Sequence, residues 1–306
     1  MIVSASYRTD IPAFYADWFL RRLEAGACRV VHPYNGRTLE IPLTGEAVDG
    51  FVFWTRNPEP FLGALDRLQG LGVPFVVQFT LTGYPRALER SVLPARRSVA
   101  MVAELARRYG PRSVVWRYDP VMLSSLTPAD WHRQTFAELA GRLAGATDEV
   151  VLSFVQVYAK TRANCDRAAE RHGFTWWDPA PEEKALILRD LGEIARERGL
   201  RPTLCAQPEL LQAPLEAARC IDAARLSDVA GFEIAAETRG NRPGCLCARA
   251  RDIGAYDSCP HGCVYCYAVS RPERAKRRHR AHDPESPYLA APGHANRVSS
   301  EESAVG

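Results

Sequence analysis

The sequence lacks any apolar run approaching the roughly 18 residues that a membrane-spanning helix requires, so no membrane partner is expected. Its opening, MIVSASYRTD, turns polar at once and lacks the charged-then-apolar pattern of a secretory leader. Charge imbalance is also missing: a net +3 is too small to call for a polyanionic partner by itself. No Walker lysine loop and no G-x-G-x-x-G occur, so no nucleotide phosphate cradle is evident. The seven histidines show no HExxH or other paired spacing, which disfavours a histidine metal site. The expectation is a soluble, cytoplasmic protein.

What is present is ordinary in bulk and unusual in one place. With 306 residues, 46% hydrophobic and 25% charged, the chain can bury a sizeable core, as one large barrel or two small domains. Nine cysteines, an odd number without a leader, argue for reduced thiols and for metal binding or catalysis rather than a disulfide framework. Seven of them, at 205, 220, 245, 247, 259, 263 and 266, follow residue 200, which gives the last third of the chain a chemical task.

From residue 1 to about 236 short apolar runs alternate with longer segments of helical period. IVSAS (2–6), FVFW (51–54), FVVQF (75–79), SVVW (113–116), EVVLSFV (149–155) and PTLCA (202–206) read as buried strands. PAFYADWFLRRLEAG, PEPFLGALDRLQGLG, SVAMVAELARRYG and EEKALILRDLGEIARERG read as helices, several opening near Pro, Asp or Glu and ending in Gly. RVVHPYNGRTLEIPL (29–43) reads as a hairpin around Asn35-Gly36. The alternation predicts an α/β fold with parallel pairing, as a (β/α) barrel of TIM-like kind, complete or partial.

The strands run out into SYRTD, TRNP, TLTGY, RYDP and QVYAK. On a barrel these ends share one rim, where active sites sit. Arg8, Asp10, Arg56, Asn57, Gln78, Thr80, Arg117, Asp119 and Lys160 would then line a polar, partly cationic mouth. Such a mouth suits a small polar or anionic substrate, because guanidinium forks pair with carboxylate and phosphate. Arg117 and Asp119 are candidate acid–base residues, with Asp119 as a turn cap before Pro120 the alternative. Tyr158 and Lys160, read as closing a strand, are candidates for proton transfer.

CPHGCVYCYA (259–268) crowds Cys259, Cys263 and Cys266 into a C-x3-C-x2-C spacing. Thiolates are soft ligands that select iron–sulfur clusters, zinc or Cu(I). Structural zinc usually takes two separated C-x2-C pairs, and there is no second pair of that spacing. One loop with this triple spacing can hold three corners of a cubane, with Gly262 allowing a tight bend and Pro260 restricting the backbone. A buried cysteine cluster or zinc knuckle is the alternative.

Cys259, Cys263 and Cys266, with Tyr265 before the last thiol, resemble the signature of the radical S-adenosylmethionine (SAM) superfamily. The resemblance implies a [4Fe-4S] cluster on those cysteines, SAM bound at the open iron, and reductive cleavage of SAM to a radical that abstracts hydrogen from a substrate. It also implies a reductant such as flavodoxin or ferredoxin, and His261, Tyr265 and Tyr267 as residues beside the cofactor. SASYRTD, FWTRNP, QFTLTGY, WRYDP, SFVQVYAK, CIDAA and RDIGAYDSCPHGCVYCYA resemble the DUF1848 family over most of the chain. Because the motif comes last, where ordinary members carry it after the first strand, the resemblance implies a circularly permuted barrel. No Gly-Gly-Glu segment of the kind that holds the methionyl amine is evident.

Cys205, Cys220, Cys245 and Cys247 provide four further thiols for one closed site, a second [4Fe-4S] cluster or zinc. The alternative for Cys205 and Cys220 is plain core filling. Cys28 and Cys165 have no sequence partners. The basic run RPERAKRRHRAH (271–282) can bind nucleic acid, but with the Ser/Glu/Pro/Gly-rich residues behind it reads first as a solvated extension. The expected organisation is a barrel over 1–240, a cysteine-rich cluster segment over 241–270 and a basic, disordered tail over 271–306. The expected function is a radical SAM enzyme. The alternatives are an iron–sulfur electron carrier and a zinc-stabilised nucleic-acid-binding or DNA-repair protein.

Overall fold

Runs rich in Val, Ile and Phe pack well on a pleated, buried surface, and the expected strands form. The computed structural model describes residues 1–33 and 35–291. Its strands are β1 (Ile2–Ala5), β2 (Ala27–Val31), β3 (Thr38–Pro42), β4 (Gly50–Thr55), β5 (Phe75–Thr80) and β6 (Val114–Val121), followed by β7 (Leu123–Ser124), β8 (Glu149–Phe154), β9 (Trp176–Trp177), β10 (Arg201–Leu204), β11 (Glu216–Ala217) and β12 (Ala250–Asp252). The helices are α1 (Ile11–Phe14), α2 (Ala16–Glu24), α3 (Leu62–Gly70), α4 (Ala95–Tyr109) and α5 (Ala129–Leu143), then α6 (Ala159–His172), α7 (Pro181–Glu197), α8 (Ala223–Ala230) and α9 (Pro272–Arg280).

The architecture is mixed α/β. Eight strands form one large parallel sheet, ordered β11-β10-β8-β6-β5-β4-β1-β12. A closed barrel is therefore not what forms: among the described residues the sheet is open, with β11 and β12 at its edges. Those edge strands are two and three residues long, too short to supply a closing ladder. The chain divides into two compact units. Of the described residues, one takes in those of Met1–Val77, Ile221–Pro260 and 271–291; the other takes in Gln78–Cys220 and His261–Ser270.

In the first unit β1 runs parallel between β4 and β12, with Ser4 opposite both Val52 and Asp252. Phe19 of α2 meets Phe51 and Phe53 of β4 edge-on, at 5.5 Å between ring centres in each case, and Phe61 packs on both Phe19 and Phe53. Each such buried ring contributes about 1.5–3 kcal/mol by leaving water. The expected hairpin is β2–β3, antiparallel, with Cys28 opposite Ile41. The basic segment read as a solvated extension carries α9 instead. Helical spacing puts Arg274 and Arg278 on one face, and Ala275 is buried. Arg274 pairs with Asp257 at 3.7 Å, and Arg278 donates to the Tyr256 carbonyl at 2.9 Å. Those partners replace the solvation that composition led one to expect. Residues 292–306 of that expected tail lie outside the described residues.

In the second unit β6, β8, β10 and β11 pair in parallel, Arg117 lying opposite Val151 and Val151 opposite Thr203. α5 buries His132, Phe136, Leu139, Ala140 and Leu143, one continuous face at helical spacing. α7 does the same with Ile187, Leu188, Leu191 and Ala195.

His132 is fully buried. Its Nε2 faces the Met122 carbonyl at 3.1 Å, which can only accept, so Nε2 carries the proton and Nδ1 accepts the Tyr118 hydroxyl at 2.8 Å. Burial lowers its pKa from 6.5 to about 4. Above pH 6.5 the ring is neutral folded and unfolded, and it adds nothing to the pH dependence. As the pH falls from 6.5 towards 4 only the unfolded chain takes up the proton, so stability is lost across that window, in total on the order of 3 kcal/mol. Urea melts between pH 7 and pH 4 are expected to show this loss, and His132→Gln to flatten that part of the profile.

Candidate functional site

The strand ends of the second unit gather one buried polar cluster. Gln78 on β5, Arg117 and Asp119 on β6, Ser153 on β8, Cys205 just past β10, and Cys220 meet there. Strands in parallel register bring their carboxyl ends to a common edge, and open α/β sheets place their sites there. Arg117 is 4% exposed. Its Nε donates to Asp119 Oδ2 at 3.1 Å and its Nη2 to the same oxygen, while Nη1 donates to Gln78 Oε1 at 3.1 Å and to Cys220 Sγ at 3.0 Å. The Ser153 hydroxyl donates to the other Asp119 oxygen. Gln78 Nε2 in turn fixes the Cys220 carbonyl at 2.9 Å.

The two sulfurs of this cluster touch: Cys220 Sγ lies 3.5 Å from Cys205 Sγ. Burial works to lower the Arg117 pKa, but the charges of Cys220, Asp119 and Cys205 outweigh it and hold the guanidinium well above its ordinary range. The Cys205 thiol is pushed well up by its hydrogen bond with Cys220 and by burial. Arg117 is thus engaged by the protein itself, which makes it a positioning residue for Asp119 and the thiols. Lys160 does not close a strand: β8 ends at Phe154, and Lys160 lies in the first turn of α6. The last bond to β6 is from the Val155 amide to Val121 O at 2.9 Å, and Ala159 already starts a helix. Tyr158, just before α6, donates its hydroxyl to Gln156 Oε1 at 2.5 Å.

The part of the cysteine loop that belongs to this unit, His261–Ser270, is pinned to residues 82–91. His261 is 3% exposed, its Nδ1 bonds the Ser91 carbonyl at 3.0 Å, and the Ser91 amide returns a bond to the His261 carbonyl at 3.0 Å. The Val264 amide donates to Leu88 O at 3.0 Å. Tyr265 is a core residue: it packs among Tyr84, Leu88, Met122, Val155, Cys165 and Phe174, and its hydroxyl donates to the buried Glu89. Thr82 donates to that same carboxylate oxygen at 2.7 Å. Tyr267 is half-buried. Sequence alone does not single out Glu89, Thr82, Ser91 or Ser153; a lone Glu before Arg90 reads as solvated, whereas in the fold it is buried with Tyr265 and Thr82 as donors.

Cys263 and Cys266 are half-exposed, and the Cys266 amide donates to the Cys263 carbonyl at 3.3 Å, closing a tight turn. Gly262 takes φ +73°, a conformation that other residues adopt only with strain.

In the first unit Cys259, also half-exposed, follows Ser258. The Ser258 hydroxyl bonds Thr9 and donates to Ala255 O at 2.6 Å, and the Ser258 carbonyl accepts from Tyr15 at 2.6 Å. Burial first, and then the charge of Cys259, push the Tyr15 phenol up. Asp252, at the end of β12, accepts from Ser4 (2.7 Å), Ser6 (2.8 Å) and both Nε (3.0 Å) and Nη2 (2.8 Å) of Arg8. A Cβ on Gly254 would lie 2.0 Å from the Ser6 hydroxyl, so only glycine fits there. Asp10 caps α1 through Ala13 N at 2.9 Å and accepts from Arg56 N at 2.8 Å. Cys247 is buried and accepts from the Ile221 amide at 3.4 Å, and Cys245 is half-exposed. Cys28 is buried, and burial pushes its thiol up to about 12. Cys165 in the second unit behaves alike, also at about 12.

All nine cysteines are thiols. Among the described residues no three His, Cys, Asp or Glu side chains are gathered around the position of a single ion. By donor chemistry, the motif thiols fit a soft, thiolate-held group: all three are half-exposed on one loop, whereas Cys28 and Cys165 are shut in the core.

These features define a mixed α/β protein whose parallel strands end in buried polar clusters and whose 259–266 segment carries three thiols. The family model that matches, over residues 2–268, is described as a domain of unknown function, DUF1848, and the chain belongs to that family. No curated protein and no solved structure matches it.

Proposed function

We propose that the chain is a SAM-dependent radical enzyme in which Cys259, Cys263 and Cys266 hold a [4Fe-4S] cluster. The observation that carries this reading is the C-x3-C-x2-C spacing, which leaves one iron without a protein ligand. The half-exposed thiols, the left-handed Gly262 and the two-sided anchoring of the loop to Leu88 and Ser91 support it. When bound, the cluster supplies one electron for the reductive cleavage of SAM.

The remaining work falls to this chain's own groups. Tyr265, held by Glu89 and Thr82, fixes the loop that carries Cys263 and Cys266. Arg117 orients Asp119 through two nitrogens, leaving that half-buried carboxylate as the acid–base candidate at the strand ends. Lys160, half-exposed in the first turn of α6, is the cationic candidate for a polar or anionic substrate. The finer fold reading is a partial barrel of the radical SAM type, and the electron donor is proposed to be a flavodoxin or ferredoxin.

The test is anaerobic reconstitution with iron and sulfide, followed by electron paramagnetic resonance of the dithionite-reduced protein with and without SAM. The expected result is a [4Fe-4S]+ signal that SAM perturbs. A signal indifferent to SAM points to an electron carrier, and colourless protein that retains zinc overturns the reading.

A further inference from the structure

We infer that Cys205 and Cys220 are a redox-active dithiol, with Cys220 the attacking thiolate and Cys205 the resolving thiol, that is oxidised to a disulfide by a small hydroperoxide. The inference does not depend on the cluster reading. It rests on three contacts within the second unit: Cys220 Sγ at 3.5 Å from Cys205 Sγ, Arg117 Nη1 at 3.0 Å from Cys220 Sγ, and Gln78 Nε2 at 2.9 Å from the Cys220 carbonyl.

A guanidinium at hydrogen-bond distance favours the thiolate of the sulfur it faces, and the thiolate is the nucleophile. That contact singles out Cys220. Gln78 fixes the backbone of Cys220, while Cys205 lies in the segment just after β10. A disulfide needs the sulfurs at about 2.05 Å, so closure asks for about 1.5 Å of approach from the present 3.5 Å, within reach of side-chain rotation. Cys220 is 6% exposed and Cys205 half-exposed, which suits a small oxidant over a bulky one. The buried Cys165 differs: its sulfur hydrogen-bonds the Val264 carbonyl at 3.6 Å rather than a guanidinium.

In the reaction the Cys220 thiolate attacks one oxygen of the peroxide. The O–O bond breaks, hydroxide leaves, and Cys220 becomes a sulfenic acid. The Cys205 sulfur, giving up its proton, then attacks the Cys220 sulfur; the S–S bond forms, the S–O bond breaks and water leaves. Two thiols and one peroxide give one disulfide and two waters, and a dithiol reductant reverses the change.

The test uses the full chain, purified anaerobically and exposed to hydrogen peroxide, then alkylated and digested without reductant. Trypsin cuts after Arg219, so Cys205 is released in Gly199–Arg219 and Cys220 in Cys220–Arg225. The expected result is a linked pair of these two peptides as the first oxidised product, lighter by two hydrogen atoms than the separate peptides, with the thiol count falling by two. In Cys205→Ser, dimedone is expected to trap a sulfenic acid at Cys220; in Cys220→Ser no adduct forms at Cys205. Arg117→Gln is expected to slow disulfide formation about ten-fold, and Arg117→Lys less. Should a variant not fold, the wild-type peptide map alone decides. Linkage of either thiol to Cys245 or Cys247, thiols that react only after denaturation, or zinc or iron whose retention needs Cys205 and Cys220 would overturn the inference.

Discussion

Cys263→Ala is expected to abolish cluster assembly, with iron retained after reconstitution falling by at least about ten-fold. The protein is expected to keep its far-ultraviolet circular dichroism, because Cys263 is half-exposed and its loop stays pinned by His261 to Ser91 and by Val264 to Leu88. Cys165→Ala is the matched control. It removes a buried sulfur beside Tyr84, Tyr265 and Phe174, so it should cost about 1 kcal/mol of stability and leave iron binding untouched. Iron and sulfide analysis beside urea melts checks both halves. Equal iron loss in the two variants would mean that the motif holds no cluster and that the loss is one of folding.

Arg117→Met carries the largest expected loss of stability, about 3–5 kcal/mol. The substitution fills most of the volume but leaves the Asp119 carboxylate without its two guanidinium donors and Gln78 Oε1 without a third. Breaking a buried pair by removing one partner leaves an uncompensated charge, which is why the loss exceeds the net worth of the pair. Arg117→Met with Asp119→Asn should recover part of the loss, and that recovery is the coupling energy. Urea midpoints of the four proteins of the cycle measure it. A cycle that closes with no coupling would show that Asp119 is served by solvent and not by Arg117.

Much of the secondary structure was legible because it rests on local pattern. β1, β4, β5, β6, β8 and β10 each begin within a residue of an apolar run, and the β2–β3 hairpin follows its Asn-Gly turn signal. α6 was not legible. Its sequence AKTRANCDRAAERH buries only Thr161, Asn164 and Cys165, so no apolar stripe announces it, and Lys160 reads as closing a strand. α9 was hidden for the opposite reason: a run of like charges reads as solvated until Asp257 and the Tyr256 carbonyl are placed beside it. Tyr265 next to a cysteine reads as a cofactor neighbour; the tertiary partner Glu89, far off in sequence, makes it a core residue.

The sequence by itself determined the α/β class, the cysteine motif and the polar character of the strand ends, because these depend on periodicity and on spacing along one short stretch. Only the tertiary structure decided that the sheet stays open, that Arg117 is spent on Asp119, Gln78 and Cys220, and that Cys205 lies against Cys220. Those outcomes depend on which distant strand ends the parallel register sets side by side. Strand pairing over such separations leaves no mark in local sequence.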